Sequence, residues 1–143
     1  MHLAQLNIAR LKYPFEDPRV ADFAANLDRI NAVAERSDGF VWRLQDDGGN
    51  AVDIGGFDDP AVIVNLSVWQ SAEHLERFVW NTAHKQIYRR RGEWFSAMKD
   101  QHLVMWWVQD GHVPSVEKAW NGSSICAPTA IAISPSAGRI CRK

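Results

Sequence analysis

The stretch from Ala61 to Phe95 constrains the chain most. Ala61-Val-Ile-Val-Asn-Leu-Ser-Val-Trp69 is a β-branched run of strand length without Pro or Gly. Gln70-Ser71 ends it, and Ser71 is placed to cap a helix whose first turn holds Glu73 and His74. Leu75, Phe78, Val79, Thr82 and Ala83 then recur at spacings of three and four, which predicts one apolar helix face. Trp80, His84 and Tyr88 fall at i, i+4 and i+8. In one unbroken helix they make a single aromatic ridge carrying one imidazole.

The flanking segments supply three more strands and one more helix. His2–Ala9 reads as a strand with Ala4, Leu6 and Ile8 on one side and Leu3, Gln5 and Asn7 on the other. Asp17-Pro18 is an N-cap followed by Pro at the first helical position, and the helix runs to about Arg36. Its face is Val20, Phe23, Ala24, Leu27, Ile30 and Val33/Ala34, and Ser37-Asp38-Gly39 stops it. Phe40–Gln45 and Gln101–Val108 read as further strands. Strand, helix, strand, strand, helix, strand is the split βαβ order of an α+β, ferredoxin-like sandwich with a four-stranded antiparallel sheet. Its helices cover one sheet face, so a two-fold homodimer through the other is expected.

The 143 residues make one domain, taken as 1–120, followed by an irregular Ser-, Ala-, Pro- and Gly-rich tail, 121–143. A net charge of -1 gives no field for nucleic acid or an anionic membrane. No apolar run reaches the roughly 20 residues that span a bilayer. Without a leader, and with Cys126 and Cys141 both near the end, the chain reads as cytoplasmic. The Gly- and Asp-rich segment 46–60 lacks the alternating ligand spacing of a calcium loop and is read as a solvated connection. Seven Trp suit either an aromatic-lined cavity or a Trp-rich core.

The element order and the Val68-Trp69-Gln70-Ser71 junction resemble the dimeric α/β-barrel superfamily, with its antibiotic-biosynthesis-type and heme-degrading monooxygenases. Within it, Asn65-Leu66-Ser67-x-Trp69, Ala83-His84, Arg89-Arg90-Arg91-x-x-Trp94-Phe95 and Trp106-Trp107-Val108 resemble an uncharacterised bacterial domain-of-unknown-function family, over about Met1 to Glu117. The resemblance to the heme-degrading members implies a functional Asn at Asn7, an axial His at His84 and, by counting from the junction, Phe78 where those relatives carry a Trp. Asn7 and His84 are therefore the catalytic candidates, with His84 the iron ligand if heme binds. Trp80, Tyr88, Phe78, Asn65, Trp69 and Arg91 are the candidate ligand contacts, and Arg43 joins them if it shares their face. Two readings stay open. One is a monooxygenase-type oxidoreductase acting on a flat aromatic substrate or bound heme, with heme or no cofactor. The other is a non-catalytic module that binds a small aromatic molecule or a partner.

Overall fold

In a computed structural model, residues 1–45, 61–97 and 103–116 are described. Strand β1 (His2–Leu11) is the centre of the sheet. After it, Asp17 accepts a hydrogen bond from the Arg19 N–H, Pro18–Val20 forms a 3₁₀ turn, and helix α1 (Ala21–Arg36) continues. The Arg19 guanidinium beside Asp17 lowers that carboxyl to a pKa of about 2. Strands β2 (Phe40–Arg43) and β3 (Val62–Trp69) precede α2 (Ala72–Asn81), α3 (His84–Arg89) and α4 (Arg91–Trp94). The two-residue strand β4 (Phe95–Ser96) and then β5 (Leu103–Val108) complete the order.

All pairings are antiparallel. β3 lies on one side of β1 with β2 outside it, while β5 and β4 line up end to end on the other side. This is the α+β, ferredoxin-like arrangement, with β4 added to the four expected strands. β4 was not among the strands expected from the sequence; in it Phe95 pairs with Leu11 and Ser96 with Arg10. The tail 121–143, the segment 46–60 and most of the helix expected from Ser115 lie outside the described residues.

The register separates two faces. Leu3↔Trp69, Gln5↔Ser67, Asn7↔Asn65 and Ala9↔Ile63 are paired and lie under the helices. There Leu3 and Trp69 pack with Ala34, Leu75, Phe78 and Met105, while Leu11 and Ile63 pack with Val20, Phe23 and Trp94. Ala4, Leu6, Ile8, Val64, Leu66 and Val68 form the opposite face, where Trp42, Trp106 and Val116 lie against them. Trp106 and Trp107 divide between the faces as alternation requires, and Trp107 is partly exposed.

The α1–β2 turn is locked onto the start of α2. Gln70 N–H donates to the Gly39 carbonyl at 2.8 Å, and His74 Nε2 stands 3.5 Å from Asp38 Oδ2. Ser71 caps α2 through the His74 N–H and shares a 2.9 Å hydrogen bond with His74 Nδ1. Gly39 is required twice over: its φ is 80°, and a Cβ there would collide with the His74 ring. Gly111 has the same φ with open space around it. Gly39→Ala should therefore cost about 2 kcal/mol or more, against about 1 kcal/mol for Gly111→Ala, in urea unfolding. Equal costs would mean that the His74 contact exerts no constraint.

Candidate functional site

Asn7 and Asn65 are directly opposed across β1 and β3 on the helix-covered face. Polar side chains at such central positions are disfavoured unless they serve a polar purpose. The apolar cluster around Trp69 packs on one side of them and the cluster around Trp94 on the other. Between the clusters Asn7 is half-buried and Asn65 is exposed. Among the described residues neither side-chain amide has a hydrogen-bond partner.

One row along the strands, Ser67 is the buried polar residue of the core among the described residues. The Trp69 Nε1–H donates to Ser67 Oγ at 3.0 Å, and the Ser67 hydroxyl donates to Gln5 Oε1 at 3.1 Å. Arg43 is the register partner of Ser67 on the other side, and its Nε donates to Glu35 Oε1 at 2.7 Å. Sequence reasoning missed Gln5 and Ser67. The readable signal was alternation: Asn65-x-Ser67-x-Trp69 and Gln5-x-Asn7 place every polar group of the two rows on one face.

From Trp69 a line of rings runs outward. Trp69 stacks on Phe78 at 5.0 Å between centroids, Phe78 meets His84 at 5.0 Å, and His84 stacks with Tyr88 at 6.4 Å. Tyr88 meets Trp80 edge-on at 5.2 Å, and the Arg91 guanidinium lies 4.0 Å above the Tyr88 ring. The sequence candidates thus fall into two groups. Asn7 and Asn65 form one, the Trp69–Phe78–His84–Tyr88–Trp80 line with Arg91 forms the other, and Ser67 and Gln5 stand between them.

The unbroken helix expected through Trp80, His84 and Tyr88 does not form. α2 ends at Asn81, and Thr82 is extended, with φ -123° and ψ -177°. The Thr82 hydroxyl donates to the Phe78 carbonyl at 2.6 Å and accepts from the His84 N–H at 3.2 Å, closing one helix and opening the next. Two poor helix formers, Asn81 and Thr82, were the signal for this break. Trp80 consequently lines a shallow outer depression of about 230 Å³ with Glu73, Glu76, Arg77 and Asn81, rather than walling a cavity over the sheet with His84.

His84 is half-buried, with Nδ1 3.4 Å from the Val79 carbonyl. Burial pushes its pKa below the ordinary imidazole value, and the Val79 carbonyl opposes this more weakly. With Nδ1–H turned to that carbonyl, Nε2 carries the lone pair. Among the described residues no three His, Cys, Asp or Glu side chains converge as a metal site.

The family described as Domain of unknown function (DUF3291) matches residues 2–122. Several solved structures share the fold at low identity. The cofactor-independent oxygenase SnoaB from Streptomyces nogalater is 14% identical, covers 80% of this chain and 98% of its own, and has a TM-score of 0.54. Rv0793 from Mycobacterium tuberculosis is 16% identical over 77% of this chain and 97% of its own, with a TM-score of 0.53. A candidate antibiotic biosynthesis monooxygenase from Nitrosomonas europaea is 16% identical over 73% and 88%, with a TM-score of 0.51. No curated protein matches the sequence.

The lowered His84 pKa makes stability depend on pH in a defined sense. Below the ordinary value of 6.5 the unfolded imidazole binds a proton that the folded one resists. Stability should be fully present above that value and fall as pH drops below it. Unfolding midpoints of wild type and His84→Gln, compared from pH 7.5 to 5, should converge toward acid. Parallel curves would show that His84 titrates alike in both states.

Proposed function

The chain belongs to the DUF3291 family, and we propose that it is a monooxygenase-type oxidoreductase taking a planar aromatic molecule into the cleft above Asn7 and Asn65. The observation that carries this reading is the opposed pair of carboxamides on the helix side of the sheet, neither with a hydrogen-bond partner among the described residues. Among the described residues no buried polar side-chain atom is left unsatisfied, so the two amides stand open to solvent and are free to meet the polar edge of a ligand. Apolar clusters on either side suit a flat ring, and the amides suit its polar edge. In this reading Asn7 and Asn65 orient the ligand, while Trp69 and Phe78 form the buried core beside the pair. His84, held neutral by burial, accepts a proton from the ligand and raises its electron density. Tyr88, Trp80 and Arg91 form the outer end of the ring line and support the imidazole.

A second reading, bound heme, is favoured by the Nδ1 contact with the Val79 carbonyl, which leaves Nε2 as the nitrogen that would hold an iron. His84 Nε2 would hold the iron, which would supply oxygen activation. The reading from another class keeps the same cleft as a binding site without turnover. The proposal extends to a two-fold homodimer, a domain spanning 1–120, and a cytoplasmic location. No helix among the described residues is long and apolar enough to cross a membrane.

Absorbance and mass spectrometry of purified protein, followed by titration with heme and with small quinols, test these roles. Loss of binding by about tenfold in His84→Ala and Asn7→Leu, with unchanged melting temperature, is expected for residues that touch the ligand. A Soret band that disappears in His84→Ala would select the heme reading. Binding without oxygen consumption would select the binding module. Destabilisation of both variants with no ligand found would make these residues structural and end the enzyme reading.

A further inference from the structure

The hydrogen bonds beside the cleft have only one consistent direction. An indole N–H donates and cannot accept, so Trp69 Nε1 occupies a lone pair of Ser67 Oγ. Ser67 is buried, and its O–H needs an acceptor; Gln5 Oε1 at 3.1 Å is the one that the described residues supply. The Gln5 carbonyl is thereby turned toward Ser67, and its NH₂ has no partner among the described residues. Gln5 is half-buried on the same face as Asn7, two positions away on β1 and in line with Ser67 on β3. The bond thus fixes the orientation of the amide, with its oxygen held toward Ser67 and its NH₂ end turned away from it.

We propose that the Trp69–Ser67–Gln5 relay makes this site selective for a planar ligand whose edge carries hydrogen-bond acceptors, such as a ketone, phenolate or carboxylate oxygen, over one whose edge carries only donors. This deepens the reading of the cleft as a ligand site and rests on it. Asn7 and Asn65 can each turn an oxygen or an NH₂ toward a ligand, because nothing among the described residues holds their amides. Gln5 cannot turn without stranding the Ser67 hydroxyl, which would leave a buried donor unsatisfied. Gln5 therefore sets the preference, and Ser67 and Trp69 are positioning residues that act through it.

Three naphthalenes of equal ring size separate acceptor from charge: 2-acetylnaphthalene, 2-naphthoate and 2-(aminomethyl)naphthalene. In calorimetric titration of the full chain, both acceptor compounds should bind about tenfold tighter than the amine, the value of one well-made hydrogen bond. Gln5→Met should erase that preference while all three still bind, and Gln5→Glu should reverse it. Ser67→Ala, which frees the Gln5 amide to turn, should bring the three affinities to within about twofold of one another. A merely structural role for Ser67 would lower the melting temperature without changing the ratio. Equal binding of the three by wild type, or a preference that survives Gln5→Met, would overturn the inference and leave the ligand site standing. Failure of all three to bind would remove the site and the inference with it.

Discussion

The antiparallel pairing of β1 with β3 is the constraint on which the rest depends. It runs from Leu3 opposite Trp69 to Arg10 opposite Val62 without a break. Side chains alternate across a strand, so this register alone decides that Gln5, Asn7, Asn65, Ser67 and Trp69 share the helix side. A slip of one residue would send Leu6, Ile8, Val64 and Leu66 toward the helices and carry the polar rows to the other face. Both faces are apolar enough to resist that slip, because each is buried against its own cluster. Burying each such aliphatic side chain is worth about 1.5–3 kcal/mol, so many side chains would be misplaced at once.

Trp69 joins the sheet to everything above it. It is almost completely buried, pairs in register with both Leu3 and Phe40, stacks on Phe78 and meets the Phe40 ring edge-on at 5.5 Å. An indole in such a place must satisfy its N–H, and Ser67 does so from the same strand face. Core packing and the hydrogen bonding of Ser67 are therefore tied to one side chain. The ring line that leaves Trp69 through Phe78 makes His84 part of the same packed unit, which is why burial holds its imidazole toward the neutral form.

The second helical segment departs most from an ideal element. A β-branched residue with a hydroxyl can close one helix by bonding the carbonyl four residues back and start the next by accepting an amide two residues on. Thr82 does both. The turn it introduces separates the Trp80 depression from the sheet side, yet the rings of His84, Tyr88 and Trp80 still touch. The contacts expected of a ridge survive, while the surface they form faces a different way.

Much of this was legible before any coordinates. Periodicity and caps marked both main helices and the four main strands, because amphipathic patterns and N-cap chemistry are local. The parity of His2–Ala9 correctly separated Leu3, Gln5 and Asn7 from Ala4, Leu6 and Ile8, since alternation is a property of any strand. The opposition of Asn7 to Asn65 and the Trp69–Ser67–Gln5 relay were decided by tertiary structure. Each depends on which residue of one strand lies beside which residue of another, some sixty positions away, and register is a global compromise between two buried faces. The break at Thr82 lies between these cases. Its residues were local, but the choice between a continued helix and a new one rests on packing Phe78 beneath α2 and Ile87 against the Trp94 cluster, on either side of the break.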